Sequence, residues 1–316
     1  MLEVDLIRHN LQIDPHLDIW GWQVSLYLFL GGLTAGVMIL TALLRLIGKA
    51  DALSRWARWL PFAAPVAISI GMLMLFLDLA HKEHVWRFFM TWRPLSPMSW
   101  GAWILIAIYP ATILLGLRGL TTTERDALAG WTPLRALRLG GLVRWAHGLA
   151  ACCDRFWSWA NIVLGIGLGT YTGLLIGTLA ARPAWNSLLL GPLFLVSGLS
   201  AGAAFMMLFG LDQDERHQLQ RWDVVAIVTE LVLLGLFLLS LATSGGAAGS
   251  AAAGLFFGGT LTAPFWSLVI VAGLLAPLSM ELVEKYRGLR PTLVAPALIL
   301  FGGLSLRAIL VVAGQT

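Results

Sequence analysis

The sequence predicts an all-α polytopic membrane protein with eight transmembrane helices. Of its 316 residues, 58% are hydrophobic and only 12% are charged, and the mean hydropathy is +0.81. A soluble domain carries roughly 25% charged residues, so this composition excludes a soluble or a disordered protein. The apolar residues come in long blocks and do not alternate with polar ones, which excludes a membrane β-barrel. Helices can fill a bilayer with such blocks because their backbone hydrogen bonds are all internal.

Eight apolar segments are long enough to cross a hydrocarbon core of ~30 Å, which takes ~20 residues of helix. We number them spans 1 to 8, and they cover roughly residues 20–44, 60–79, 100–119, 156–180, 188–211, 222–243, 262–284 and 291–313. Proline marks several borders: Pro61 opens span 2 and Pro291 opens span 8, as expected for a residue that fits the first turn of a helix. The segment 243–262 is rich in Gly, Ala and Ser and has no charge. We interpret it as a loop, with partial re-entry into the membrane as the alternative.

The basic residues predict the orientation. Fifteen of the 21 Lys and Arg residues fall in the connections after spans 1, 3, 5 and 7, which the positive-inside rule places in the cytoplasm. Both termini are then periplasmic, and the protein lies in a bacterial inner membrane. The chain divides into a periplasmic tail (1–19), the first three helices (20–119), a cytoplasmic loop (120–155) and helices four to eight (156–316). Within that loop, 134–156 mixes Arg with Leu, Val and Trp, a pattern that fits either an interfacial amphipathic helix or a solvated loop.

The polar residues at the outer end of span 2 are the first candidates for chemistry. Asp78 and His81 are three residues apart and would share a helix face. A carboxylate beside an imidazole suits a proton relay for a molecule that takes up or releases two protons. The alternative is a cap at the membrane surface, with Trp86, Trp92 and Trp100 as interfacial belt residues.

Spans 1 and 4 contribute further candidates. His16 and Asp18 lie at the outer end of span 1, and Gln23 lies one turn inside it, where its amide could hydrogen-bond a carbonyl. Tyr171, two-thirds along span 4, carries a hydroxyl that needs a partner, either a ligand or a neighbouring helix. Span 4 also has glycines at intervals of four, which admit a neighbouring helix or a flat ligand, with helix packing favoured; these are Gly165, Gly169, Gly173 and Gly177.

Two ionisable residues fall inside spans 6 and 8. Glu230 lies two turns inside the cytoplasmic end of span 6, and Arg307 lies near the outer end of span 8. Such residues either face the bundle interior as part of a proton path or form a structural pair. Arg307 is close enough to the surface to extend its guanidinium into the headgroup region instead.

Absent motifs limit the cofactors. None of the six histidines lies at the centre of a span, so no pair is placed to ligate a haem. The two cysteines, Cys152 and Cys153, are adjacent and cannot supply the four thiolates of an iron–sulfur cluster. We therefore predict no haem, no iron–sulfur cluster and no metal site in this protein. The sequence also has no Walker A motif, so we do not expect ATP to be its energy source. Electrons, if the protein handles them, must come from or go to another subunit.

Four segments together resemble the NrfD/PsrC family of membrane subunits of respiratory oxidoreductases. They recur in the family's order: 20–22 with 27–32, 77–81, 93–101, and 171–173 with 181–186. The resemblance implies two four-helix bundles. It also implies a haem-free anchor subunit that exchanges electrons between a periplasmic iron–sulfur subunit and membrane quinone or quinol (menaquinone or ubiquinone).

The resemblance also implies partners and roles. The partners are a four-cluster ferredoxin-like iron–sulfur subunit, a molybdopterin-type catalytic subunit and membrane lipid, with no nucleic acid. Proton exchange falls to Asp78 and His81, and quinone binding to His16, Asp18, Gln23 and Tyr171. The alternative function is a secondary transporter or proton-translocating channel using Glu230 and Arg307. We find no repeat between residues 1–155 and 156–316, which counts against a transporter of the inverted-repeat type.

Overall fold

Eight long apolar helices make up most of the structure, a computed structural model that describes residues 20–47, 53–79, 81–93, 96–131, 140–178, 182–244, 246–287 and 292–315. Every regular element among these residues is helical, and all eight predicted spans are confirmed as helices. Spans 1 to 8 are Trp22–Ile47, Arg55–Asp78, Pro97–Gly119, Asp154–Gly177, Leu190–Met207, Gln213–Ser244, Thr262–Arg287 and Val294–Ala313.

Three shorter helices lie in the connections that follow spans 2 and 3. Trp86–Met90 follows span 2, and Thr122–Gly130 and Gly140–Cys152 lie between spans 3 and 4. The Thr122–Gly130 helix starts at a capping box, in which Thr121 and Glu124 satisfy each other's backbone N–H groups. A helix between spans 3 and 4 is thus confirmed over Gly140–Cys152, and its position at the membrane interface stays a prediction. The residues 132–139 lie outside the described ones.

The loop predicted over 243–262 is wrong, because Gly246–Phe256 is an α-helix. Its alanine-rich sequence has high helix propensity, which outweighs the glycines that suggested a loop. Phe256 is fully buried, and its ring packs against Phe237 of span 6 at 6.4 Å and Phe265 of span 7 at 5.0 Å. The connection is therefore part of the core of the second half of the molecule.

The spans form two groups of four, spans 1–4 and spans 5–8. The groups meet chiefly where span 1 packs on span 5, and also where span 4 packs on span 5 and span 1 on span 8. Glycines bring these two helices into backbone contact: a Cβ atom on Gly36 would lie 2.1 Å from the carbonyl oxygen of Gly198, and one on Gly198 would lie 2.6 Å from that of Gly32. Such close approach is the usual reason for small residues at helix interfaces in membranes.

The glycine face of span 4 also serves helix packing. A Cβ atom on Gly165 would lie 3.0 Å from the carbonyl oxygen of Ala35 in span 1, and one on Gly173 would lie 2.2 Å from that of Leu190 in span 5. The packing interpretation is thus confirmed, and these glycines leave no room for a flat ligand.

The outward faces of the spans are apolar. On span 2, side chains at helical spacing are 45–59% exposed, although all are large and hydrophobic; they are Val66, Ile70, Leu73 and Leu77. A stripe of this kind would be unfavourable in water and fits a lipid environment. The protein is a multi-pass membrane protein.

The first and last described residues lie at the same end of the molecule, which we call the outer end. The backbone N–H of Trp20 donates to the side-chain oxygen of Gln315 at 2.8 Å, and the Gln315 amide donates back to the Trp20 carbonyl at 3.0 Å. Trp20 also stacks on Trp185 at 4.9 Å, and Trp185 donates from its indole N–H to the Leu310 carbonyl at 2.7 Å. These contacts join the outer ends of spans 1 and 8 to the connection between spans 4 and 5.

Span 7 contains a π-helical segment, Phe265–Leu275, which follows a short α-helical start at Thr262–Pro264 and precedes the α-helix Ala276–Arg287. A Cβ atom on Gly273 within this segment would lie 2.6 Å from the Cα atom of Gly302 in span 8. The π-helical turns therefore lie where spans 7 and 8 are in backbone contact.

Candidate functional site

A pocket of about 410 Å³ opens at the outer end between spans 1, 2 and 4, and it is also bordered by the connection between spans 2 and 3. Most of its wall is aliphatic or aromatic. Five lining side chains are titratable: Tyr27, Asp78, His81, His84 and Tyr171. Small-molecule sites are commonly apolar clefts of ~300–1,000 Å³ with a few polar groups of this kind.

Asp78 is the last helical residue of span 2 and is half-buried. Leu79 has extended backbone (φ −66°, ψ 130°), so the helix ends before His81. The prediction that Asp78 and His81 share a helix face is therefore wrong, yet the turn still brings both side chains to the same pocket. Among the described residues, the Asp78 carboxylate has no hydrogen-bond or ion-pair partner. His81 is largely exposed, and its Nδ1 lies 3.4 Å from a Glu83 carboxylate oxygen.

Two tyrosines lie deeper in the pocket. Tyr171 is 5% exposed and Tyr27 is 3% exposed, and neither hydroxyl is hydrogen-bonded to any part of the protein that the structure describes. The Tyr171 ring lies on Gly101 of span 3, where a Cβ atom would come within 2.0 Å of its Cζ atom. Gly101, and not the glycine face of span 4, provides the space for this ring.

The predicted residues at the start of span 1 are only partly placed. His16 and Asp18 lie outside the described residues. Gln23 is half-buried, but it does not line the pocket. A Cβ atom added to Gly21 would lie 2.3 Å from the Gln23 side-chain oxygen. The same Cβ atom would lie 3.9 Å from an Asp78 carboxylate oxygen, so both side chains are close to Gly21. Gln23 is thus at the rim of the pocket, next to Asp78.

The arrangement has two chemical properties. The apolar wall accommodates an uncharged ring and excludes water from it. The buried tyrosine hydroxyls can donate hydrogen bonds to ring oxygens, and the Asp78 carboxylate can accept one from a ring hydroxyl. His81 and His84 connect this interior with the exposed surface, where a proton can be exchanged with water. The described residues contain no group of three or more metal-ligating side chains.

Glu230 and Arg307 belong to a separate polar region inside the second bundle. Arg307 is fully buried; one guanidinium nitrogen donates to the Ser197 hydroxyl and to the Gly303 carbonyl, both at 2.8 Å. The guanidinium also lies 5.3 Å from the Phe194 ring centre. The interpretation that Arg307 extends to the membrane surface is therefore wrong. Glu230 is 2% exposed and interacts with both Ser197 and Arg307, so both predicted ionisable residues face the bundle interior.

Sequence reasoning missed four residues of these two regions. Tyr27 and His84 line the pocket, and Asp223 and Glu281 are buried carboxyl groups inside the second bundle. The signal for Asp223 was present, because it is seven residues from Glu230 and two helical turns place both on one face of span 6. Tyr27 had no such signal, since only the packing of span 1 against span 2 brings it to the pocket.

At the inner end of the molecule, charged residues interact with one another in and next to the connections between the spans. Arg58 forms a bidentate pair with Glu124 at 2.9 and 3.1 Å, which lowers the pKa of Glu124 from 4.5 to about 2. Burial lowers the pKa of His147, and the nearby Arg125 lowers it further. These groups lie at the inner end, far from the pocket, and stabilise the connections.

Comparison with known proteins agrees with the geometry. The protein is 30% identical over 312 residues to "Protein NrfD" of Escherichia coli strain K12, covering 94% of this sequence and 95% of the relative. It is 29% identical over 314 residues to the C chain of polysulfide reductase from Wolinella succinogenes, with the same coverage. It is also 28% identical over 200 residues to the C subunit of selenate reductase from Mesobacillus selenatarsenatis. This match is partial and covers 60% of this sequence and 47% of that relative.

The match to the family itself spans nearly the whole sequence. A family model described as "Polysulphide reductase, NrfD" matches residues 9–316. The match includes all eight spans and every residue of the pocket. This chain, a multi-pass membrane protein with a largely apolar pocket at its outer end, belongs to the NrfD family.

Proposed function

We propose that this protein is the quinone-interacting, haem-free membrane subunit of a respiratory oxidoreductase complex. The observation that carries the proposal is the pocket of about 410 Å³, in which the Asp78 carboxylate and the Tyr171 hydroxyl have no partner within the described residues. A buried hydroxyl such as that of Tyr171 is normally hydrogen-bonded, so its lack of a protein partner, next to the half-buried Asp78 carboxylate in an apolar pocket, favours a bound ligand. The relatives named as parts of polysulfide and selenate reductases support a place in a reductase complex.

The pocket residues fit a quinone ring. A bound quinone would supply the two-electron, two-proton chemistry. Tyr171 donates a hydrogen bond to one ring oxygen and fixes the ring orientation, while Asp78 exchanges a proton at the other. His81, which is exposed, passes that proton to or from water. Gln23 assists Asp78 at the rim, and His16 and Asp18 are retained as binding residues from the sequence.

Electrons reach the pocket from outside this protein. We propose that a four-cluster ferredoxin-like iron–sulfur subunit docks over the outer end and connects the pocket with a molybdopterin-type catalytic subunit. Large apolar side chains near the pocket mouth support a covering partner at this end, since Trp86, Met90 and Trp92 are 56%, 76% and 61% exposed. When electrons and protons reach the quinone at the same site, no uncompensated charge has to form in the hydrocarbon.

The outer end is proposed to be periplasmic, in a bacterial inner membrane. In a background with Cys152 and Cys153 replaced by serine, a membrane-impermeant thiol reagent should label Glu83→Cys in intact cells. It should label Thr123→Cys, which is exposed at the inner end, only after lysis. Labelling of position 123 but not position 83 in intact cells would reverse the orientation.

The quinone proposal is tested by substitution at the two proton-exchange positions. Asp78→Asn or His81→Ala should lower quinone turnover by the assembled complex at least ~10-fold, because a positioned proton-transfer group contributes ~10²–10⁴-fold and a water can replace part of it. Asp214→Asn and His217→Ala, at exposed positions of span 6, are the matched controls and should leave turnover unchanged. Normal assembly together with wild-type turnover in both pocket variants would reject the site.

Tyr171→Phe separates binding from proton transfer. Loss of one hydrogen bond costs about 1 kcal/mol, so the variant should weaken quinone binding ~5-fold and leave the dependence of turnover on pH unchanged. Measured Kd values for a quinone analogue would check this.

A proton-translocating role for Glu230 and Arg307 is the second candidate. It is favoured by the contact of both residues with Ser197 inside the bundle. If this role holds, Glu230→Gln should abolish proton movement across proteoliposome membranes while detergent-solubilised complex keeps its quinone turnover. If the protein were a transporter without a quinone site, the Asp78 variants would have no effect in either assay.

A further inference from the structure

Two carboxyl groups lie together in the interior of the second bundle. Asp223 of span 6 is fully buried and Glu281 of span 7 is 3% exposed. The Ser200 hydroxyl of span 5 donates to one Asp223 oxygen at 2.6 Å. The second Asp223 oxygen and both Glu281 oxygens are buried and have no hydrogen-bond partner in the described part of the protein. The two side chains are close enough to hydrogen-bond to each other when one of them carries a proton.

Most hydrogen bonds of the groups around the pair go to other residues. Glu284, one turn closer to the inner end, accepts from the Thr292 N–H at 2.8 Å and from its hydroxyl at 2.9 Å, and also from Gln220 at 3.3 Å. Arg216 donates to the Met207 and Thr292 carbonyls at 3.0 and 3.3 Å, and its Nε is buried without a hydrogen-bond partner among the described residues.

The charges in this interior do not balance if every acid is ionised. Arg216 interacts with Glu281 and Glu284. The next buried cation, Arg307, lies with Glu230 towards the outer end. Asp223 has no cation of its own among the described residues. Asp223, Glu281 and Glu284 would then share the single cation Arg216, so the adjacent carboxylates of Asp223 and Glu281 would repel each other. An unbalanced charge buried among apolar side chains is strongly unfavourable.

We propose that Asp223 and Glu281 form a buried proton-binding pair. A proton taken up from water at the inner end bonds to a Glu281 oxygen and is shared with the unpartnered oxygen of Asp223, so the pair carries one negative charge instead of two. A divalent cation such as Mg²⁺ or Ca²⁺ would need six or more oxygen ligands, and the pair offers three free oxygens and the Ser200 hydroxyl. The site goes beyond the proposed quinone function and does not rest on it.

Polar side chains lie on both sides of the pair, towards the inner end and towards the middle of the bundle. Glu284 lies between it and the inner end on span 7. Ser200 and Ser197, three residues apart on span 5, lead from Asp223 towards Glu230 and Arg307. The pair is therefore placed to hold a proton between the inner surface and the middle of the bundle.

Infrared difference spectroscopy on the complete, assembled complex tests the pair. At neutral pH the wild type should show the C=O stretch of a protonated carboxylic acid, shifted in D₂O and lost at alkaline pH. Asp223→Asn and Glu281→Gln should each remove that band. Glu215→Gln is the matched control, because Glu215 is also buried but accepts hydrogen bonds from Ser54 and from the Asp212 N–H, and it should leave the band intact.

Two further variants keep the test decisive. Ser200→Ala retains both acids and removes the hydrogen bond to Asp223, so the band should remain and change frequency, even if Asp223→Asn does not assemble. Tyr171→Phe should leave the band unchanged, which separates this proposal from the quinone site. A band insensitive to Ser200→Ala and Glu281→Gln would overturn the proposal, as would a band that sodium ions abolish at constant pH.

Discussion

The substitution Gly101→Ala offers the sharpest test of where the ring of a ligand binds. The new methyl group would lie 2.0 Å from Cζ and 2.4 Å from the hydroxyl oxygen of Tyr171, whereas ordinary contacts start at 3.4 Å. The Tyr171 ring must therefore move by about 1.4 Å, a distance at which misplacement of a binding group costs ~10²-fold in rate. Since Gly101 packs on span 4 from span 3, the ring moves towards the pocket and also reduces its volume. We expect a ~10²-fold fall in quinone turnover by the assembled complex.

The assay compares turnover per assembled complex for Gly101→Ala and for Gly148→Ala, whose added methyl would meet no atom within 4 Å. A double-mutant cycle with Tyr171→Ala identifies the cause. If Gly101→Ala acts through the tyrosine ring, it should add little to the effect of Tyr171→Ala, because residues in contact give non-additive effects. Fully additive effects, or wild-type turnover in Gly101→Ala at normal assembly, would refute the reasoning.

Two further predictions concern stability. Gly36→Ala should destabilise the assembled protein by about 1–3 kcal/mol, since the methyl group would lie 2.1 Å from the Gly198 carbonyl oxygen and separate the two bundles; thermal unfolding in detergent should show this loss, and Gly235→Ala, with open space around it, should show none. Glu124→Gln should lower the unfolding temperature at neutral pH, because the pair with Arg58 holds the pKa of Glu124 at about 2 against an ordinary value of 4.5. The stabilisation is complete above pH 4.5 and declines as the pH falls towards 2, so the difference between wild type and variant should shrink over that range and not at higher pH.

The sequence could predict the spans because each depends on local composition. The charge content inside the apolar blocks is low enough that length and hydropathy locate all eight helices. The helix Gly246–Phe256 was missed because alanine favours both a buried helix and an apolar loop, and only packing against Phe237 and Phe265 decides between them.

Site residues could be predicted where a single polar side chain is energetically unfavourable in an apolar helix. Asp78 at the end of an apolar helix and Tyr171 within one stand out in the sequence, and both line the pocket. Tyr27 did not stand out, and the proposed pair Asp223 and Glu281 joins two residues that are 58 positions apart in sequence and lie on different helices. Hydrophobic periodicity does not specify which helices are neighbours, so convergence of side chains from different spans could not be deduced from it.

The π-helical segment Phe265–Leu275 determines the direction in which the second half of span 7 faces. Each of its hydrogen bonds encloses one more residue than an α-helical turn does. In an α-helix, inserting or deleting one residue rotates everything beyond it by about 100° about the axis. In span 7, conversion of a π turn to an α turn can absorb a one-residue deletion, so the azimuth of Glu281, six residues beyond the segment, can be retained. A residue can therefore be lost from this part of span 7 while the side chains before and after it keep their orientation about the helix axis.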